Sequence, residues 1–159
     1  MTNYSNVVRS FLDDQKLLEP SGFLKFPEWV KRLKVDVGMS HTGPNAIEWI
    51  RRDPHLLVVG LEPIQSEVDS FWLFAETLHD FSLIKKQLII LPIALSDRDG
   101  SQKFFVTKGY LGNSSLLSPK RLEVEALIEV PTSTLESLLD CLDLEKFGKI
   151  DHVKLDCQG

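Results

Sequence analysis

The chain is poor in cysteine, in long apolar runs and in clustered positive charge. Only two cysteines, Cys141 and Cys157, occur in 159 residues. They form no C-x-x-C pair and no metal-ligand spacing, which argues against a disulfide-framed or zinc-ribbon domain. Both are expected to be reduced and buried, as in a cytoplasmic protein. No apolar run approaches the roughly 18 residues that span a bilayer, so no membrane partner is expected. Met1-Thr2-Asn3-Tyr4 opens neither a basic nor an apolar stretch of a secretory signal. Lys and Arg number 18 against 23 Asp and Glu, a net charge of −5. Duplex binding draws most of its affinity from neutralised phosphates, and the short pairs Lys31-Arg32 and Arg51-Arg52 make no basic patch, so nucleic acid is not an expected partner. His55, His79 and His152 have no partners at metal-ligand spacing, so no metal is expected. Internal repeats, a Walker loop, a Ser-His-Asp order and a cysteine-nucleophile motif are also missing.

What is present suits one domain with a true core, at 43% hydrophobic and 26% charged residues. Val7, Val8, Phe11 and Leu12 recur at helical spacing, which predicts a helix over 5–19, stopped by Pro20-Ser21-Gly22. Pro27 suits the first position of a short helix carrying Trp29 and Val30. Residues 33–37 read as a strand, Pro44 opens a helix with Ala46, Trp49 and Ile50 on one face, and the apolar run at 56–61 reads as a central parallel strand. Residues 64–79 return to helical spacing. Residues 88–95 read as a third strand, in which Pro92 marks an edge or a bulge. Strand alternating with helix implies a parallel sheet with right-handed crossovers. The pattern then changes to two strands at 102–107 and 124–130, able to pair antiparallel around a polar loop at 109–120. Ser133 with Glu136 fits a capping box for a helix at 134–142, and 152–157 reads as a fourth parallel strand. The fold expected is α/β, with sheet order 3-2-1-4 and an inserted hairpin. Trp29, Trp49, Phe71 and Trp72 are expected in the core.

Three acids stand at or near the ends of predicted parallel strands: Asp36, Glu62 and Asp156. In open α/β sheets the ligand crevice lies outside those ends. Gly38-Met39-Ser40-His41-Thr42-Gly43 forms a turn between the first strand and its helix. Gly38 lets backbone approach a ligand closely, and Gly43 frees the start of the helix. Glu62 lies where an acid grips ribose hydroxyls. A dinucleotide would set its pyrophosphate over the glycine turn. Asp36 would repel it, and the turn lacks G-x-G-x-x-G. S-adenosylmethionine carries a sulfonium and an ammonium group and no phosphate, so a ring of acids suits it. Taken singly, each acid also has a plainer reading as a strand end or a helix cap. His41 is either a base near neutral pH or a polar surface residue. Asn113, Ser114 and Ser115 either line a pocket or form a simple turn.

V-D-V-G at 35–38, G-L-E-P at 60–63, A-L-S-D at 94–97, N-S-S-L-L at 113–117, T-L-E-S-L-L at 134–139 and K-L-D-C-Q-G at 154–159 occur in one order. The set resembles the FkbM-type methyltransferases, whose stretches read D-V-G-A-N-x-G, F-E-P, A-L-S-D, S-S-L and K-I-D-V-Q-G. The likeness runs from about residue 33 to the end of the chain. It implies a Rossmann-like class I methyltransferase fold over 33–159, preceded by a helical segment at 1–32. It implies methyl transfer from S-adenosylmethionine to a hydroxyl oxygen of a small-molecule or sugar acceptor. It further implies cofactor contacts from Asp36, Gly38, Ser40, Gly43 and Glu62, adenine-side contacts near Ser96 and Asp97, and a floor to the methyl site at Asp156, with His41 the other catalytic candidate.

Two departures from the family pattern stand out. The glycine turn is one residue longer, with Met39-Ser40 in place of Ala-Asn, so its contacts follow less directly than those of the acids. The family also continues past K-I-D-V-Q-G with a helix and strands that complete a seven-stranded sheet and much of the acceptor pocket. A chain ending at Gly159 is therefore expected to be a partial domain, catalytically weak, poorly stable or self-associated through the open edge of its fourth strand. Two other readings stand beside this one: a cofactor-binding or regulatory module without chemistry, and a nucleotide-dependent oxidoreductase.

Overall fold

Leu56–Leu61 carries six consecutive residues that are all buried, because both faces of this strand are covered. It is the second strand of an α/β architecture seen in a computed structural model that describes residues 6–109, 113–147 and 149–156. Cys157, Gly112, Gly159 and the last residues of the K-L-D-C-Q-G segment lie outside the described residues. The elements run α1 (Val7–Asp14), β1 (Arg32–Val37), α2 (Pro44–Arg52), β2 (Leu56–Leu61), α3 (Gln65–Glu76), α4 (Phe81–Gln87), β3 (Leu88–Leu91) and β4 (Ala94–Leu95). They continue with β5 (Gly100–Thr107), β6 (Val124–Ser133), α5 (Leu135–Leu139), α6 (Leu144–Phe147) and β7 (His152–Leu155).

One sheet is parallel throughout, in the order β3-β2-β1-β7. The expected order is therefore found. A second sheet, β4-β6-β5, is mixed: β5 and β6 form the expected antiparallel hairpin, and β4 runs parallel to β6. The parallel sheet separates two cores. On one face Leu33, Val35 and Val37 of β1 pack with Val8 and Leu12 of α1 and with Leu138 of α5. On the other, Val58 of β2 and Ile90 of β3 pack with Ala46 and Ile50 of α2, Phe71 of α3 and Ile84 of α4. Right-handed crossovers explain the division. Moving from β1 through β2 to β3 stacks the connecting helices on one face, and returning across β1 to β7 puts α5 on the other.

Several local expectations are corrected. Residues 27–30 form a turn closed by the Val30 amide donating to the Pro27 carbonyl, not a short helix. The helix expected over 5–19 is α1 alone, started by the Asn6 side chain accepting from the Arg9 amide. The helix expected over 64–79 is α3, and α4 follows as a further helix that the sequence reading did not include. The strand expected over 88–95 is broken at Pro92, which offers no N–H, and β4 leaves for the second sheet. The three tryptophans are only half-buried, and only Phe71 of the expected aromatic core is fully enclosed.

The α5 cap also differs from the expected box. Thr134, not Ser133, is the N-cap, and its hydroxyl accepts from the Ser137 amide at 3.0 Å. Asp99, from the turn before β5, supplies the rest by accepting from the hydroxyls of Ser133 and Ser137 and the amide of Thr134. Burial works against its charge, but these donors, Ser137 first, hold its carboxyl below the usual carboxylate range. A lowered folded-state pKa is stability present above the ordinary range and lost as pH falls through it. Asp99→Ala is expected to cost about 1–2 kcal/mol at pH 7. The deficit should narrow in acid, measured by urea unfolding at pH 7 and pH 3.5.

Candidate functional site

The parallel sheet changes direction at β1, with β2 and β3 on one side and β7 on the other. Open α/β sheets form their ligand crevice outside the strand ends at such a point. A narrow cleft lies there. Val37 and Gly38 close β1, Leu61 and Glu62 close β2, and Asp156 follows β7. Glu67 of α3 adds a further side chain. The second sheet supplies the opposite wall through Ala94, Phe104 and the Ser114-Ser115-Leu116 segment. Its cavity volume is about 80 Å³, below the roughly 300–1,000 Å³ usual for small-molecule sites.

Glu62 is the organising side chain. Its residue is only 7% exposed, although it lines the cleft. Oε2 accepts from the Ser40 amide at 3.2 Å, and Oε1 from the Ile64 amide at 3.1 Å. These bonds tie the turn after β1 to the end of β2. Burial pushes its carboxyl above the usual range, the two amides pull it down, and Glu67 adds to the rise. Each carboxylate oxygen accepts about two hydrogen bonds, so one acceptor position per oxygen stays open toward a ligand. Gly38 and Ser40 both adopt positive φ, +74° and +60°. For Ser40 that conformation is uncommon, and the Glu62 carboxylate holds it in place.

Asp36 lies elsewhere. Strand alternation turns it to the α2 face, where it is fully buried, and it does not line the cleft. Lys154 of β7 donates to its Oδ1 at 3.1 Å and lies 3.4 Å from Asp156 Oδ2. The Ala46 amide at the start of α2 also favours the charged form, yet Oδ2 has no hydrogen-bond partner of good geometry. Burial raises the Asp36 carboxyl and Lys154 opposes the rise.

The remaining candidates divide in the same way. Asp156 lines the cleft with its side chain 66% exposed. Gly43 does not line it: it starts α2 at φ +47°, packed against Phe71 and Met39. His41 stands beside the cleft, its Nδ1 3.1 Å from Glu67 Oε2. Ser96 and Asp97 line a separate surface hollow with Gln102, whose amide donates to the Ser96 hydroxyl. Ser114 and Ser115 do both things their sequence allowed: they shape the chain and line the cleft. The Ser114 hydroxyl accepts from the Thr107 amide, and Ser115 pairs with the Phe105 backbone.

No family model, curated protein or solved structure matches this chain. The geometry of the cleft therefore bears the functional reading. Two participants escaped the sequence reading, Lys154 and Glu67. Lys154 had a signal, since it stands two residues before Asp156 and so on the same strand face. Glu67 had a weaker one, as an acid in the first turn of the helix that follows Glu62. Among the described residues, no helix is long and apolar enough to cross a membrane, and no group of three His, Cys, Asp or Glu is arranged to hold a metal.

Proposed function

We propose that the chain is the cofactor-binding part of a Rossmann-like, FkbM-type methyltransferase that takes a methyl group from S-adenosylmethionine to a hydroxyl oxygen of a small-molecule or sugar acceptor. One observation carries this reading: among the described residues, the cleft at the sheet's point of reversal is lined by three carboxylates, Glu62, Glu67 and Asp156, and by no basic side chain. That set of acceptors fits a ligand with positive charge and ribose hydroxyls. It does not fit the pyrophosphate of a dinucleotide, which disfavours an oxidoreductase. When bound, S-adenosylmethionine supplies an electrophilic methyl group on a sulfonium.

The chain's own residues would bind and orient. Glu62 accepts ribose hydroxyls on the oxygen positions that the Ser40 and Ile64 amides leave open. The Gly38 backbone, free of a side chain, borders the ligand closely. Asp156, the most exposed acid of the cleft, faces the acceptor side, where it orients a hydroxyl or takes its proton. Most of the acceleration would come from this positioning. A binding module without chemistry is the second reading. It is favoured by the fact that each cleft acid already has a partner: Glu62 its two amides, Glu67 the His41 ring and Asp156 the Lys154 ammonium.

Glu62→Gln is expected to weaken S-adenosylmethionine by about 1.5–3 kcal/mol, the range for a hydrogen bond to a charged group. Stability should fall as well, because the Gln amide cannot accept from both Ser40 and Ile64. Calorimetric titration of wild type and variant with S-adenosylmethionine and with NAD tests the reading. Equal affinity of the variant, or preference of the wild type for NAD, would count against it.

A further inference from the structure

β3 is an edge strand. It pairs with β2 on one side, and among the described residues no strand lies on its other side. The Glu62 amide donates to the Leu91 carbonyl, so the main chain of Leu91 faces β2. Main-chain groups alternate in direction along a strand, so those of Ile90 face away from the sheet. Ile90 can therefore offer an N–H and a carbonyl to a further strand. Pro92, in the same outward phase, can offer its carbonyl alone.

This edge is recessed. Leu88 and Ile90 are only 4% and 8% exposed, because side chains rise past β3 on both faces of the sheet. Phe11, Leu17 and Trp29 form one wall, and Val68, Trp72 and Phe81 form the other. The groove between them has a cavity volume of about 670 Å³, against about 80 Å³ for the cleft. That lies within the roughly 300–1,000 Å³ usual for binding sites. Its rim carries charge. Lys85 and Lys86 stand at the head of β3, and Lys25 joins them. The two ammonium groups of α4 lie against aromatic rings, Lys85 over Phe81 and Lys86 over Trp29. Among the described residues none of the three lysines has a carboxylate partner. Two acids of α3, Asp69 and Glu76, also line the groove, so positive charge is in excess there.

We propose that this groove is a docking site for an extended, acidic peptide segment of a partner protein, which adds to β3 as a fifth strand. Strand addition takes affinity from main-chain hydrogen bonds and specificity from alternate side chains. Here Ile90 supplies the main-chain groups, and the two apolar walls receive the alternate side chains. Acidic residues flanking the added strand meet the unpaired ammonium groups of Lys85 and Lys86. A second copy of the chain fits less well. Its own β3 is sunk between the same walls, and strands must approach to about 4.8 Å to pair. Lysines beside an edge also discourage indiscriminate pairing, which leaves the groove selective for negative charge. The inference is independent of the cofactor reading.

The test is calorimetric titration with a capped peptide, Glu-Glu-Val-Ile-Thr-Val-Glu-Glu, and two relatives of it. One relative has Lys for every Glu, and the other is N-methylated at its four central residues. The chain should bind the first peptide about three- to tenfold more tightly than the Lys-flanked one, the scale of a few exposed ion pairs. N-methylation should weaken binding at least about tenfold, through lost main-chain hydrogen bonds. The double variant Lys85→Glu, Lys86→Glu should reverse the charge preference, which also shows that the variant is folded. Equal binding of the N-methylated peptide would mean that no strand is added, and would overturn the inference. A charge preference unchanged in the double variant would place the peptide elsewhere, and no binding of the first peptide would leave the groove without this function. Sedimentation of the chain alone is the last arm: a dimer that the first peptide dissociates would assign the groove to a second copy instead.

Discussion

Replacing Lys154 by methionine is expected to destabilise the fold by about 2–4 kcal/mol at pH 7. Asp36 is fully buried, and the Lys154 ammonium is its only charged partner among the described residues. Removing one member of a buried pair leaves an uncompensated charge, a loss of about 3–5 kcal/mol where both members are enclosed. The Lys154 side chain is 21% exposed, so the figure is reduced for solvent screening. The pH dependence gives a second signature. Burial already raises the Asp36 carboxyl above its ordinary value, against the pull of Lys154. A carboxyl raised in the native state binds protons there that the unfolded chain has released. Its contribution to stability therefore falls as pH rises through the interval from the ordinary value to the folded one. Without Lys154 the folded value moves further up. The deficit of Lys154→Met should thus be largest near neutrality and shrink on acidification, because protonated Asp36 needs no counter-ion. Adding Asp36→Asn to Lys154→Met should recover much of the loss at pH 7. Urea unfolding of both variants at pH 5 and pH 7.5 measures this. A deficit independent of pH would mean that the charge of Asp36 is not its cause.

Gly43→Ala should lower stability by about 2–4 kcal/mol, with the thermal midpoint falling on the order of 10 °C. Two effects add. Gly43 sits in the left-handed region at φ +47°, where an L side chain costs about 1–2 kcal/mol. A β-carbon there would also lie 2.7 Å from Phe71 Cε2 and 3.3 Å from the Met39 methyl. Phe71 is fully enclosed on the face shared by α2, α3 and α4, so its ring has nowhere to retreat. Met39 is buried on the other side, next to Gly60, where an added β-carbon would lie 2.6 Å from the Met39 sulfur. Gly109→Ala is the control for the backbone effect alone. Its φ is also in the left-handed region, at +73°, but nothing lies within 4 Å of the added carbon. A Gly43→Ala midpoint no lower than that of Gly109→Ala would show that the Phe71 contact is without consequence. The wider meaning is that Gly43, expected as a cofactor contact, serves the site indirectly: it lets the turn carrying Ser40 and His41 dock on the helices beneath.

The sheet and its order were legible in the chain because they follow from local pattern. A run apolar on both faces, as in β2, must be covered on both faces. Alternation of strand with helix then leaves a parallel sheet as the consistent arrangement, and Pro44 marks the first turn of α2 through its own fixed φ. Glu62 was legible for the same reason, as an acid at the end of such a strand. What the tertiary structure alone decided concerns relations between distant segments. Asp36 and Glu62 look alike in sequence, yet one lies beneath α2, paired with a lysine 118 residues away, and the other lines the cleft. The departure of β4 into the second sheet, the capping of α5 by Asp99 and the His41–Glu67 pair are of the same kind. Each depends on which surfaces meet once apolar faces are buried, and a hydrogen bond or ion pair across that meeting leaves no periodic trace in either segment. Burial then decides the setting: the same carboxylate becomes a buried charge under a helix, or a cleft-lining group at the end of a strand.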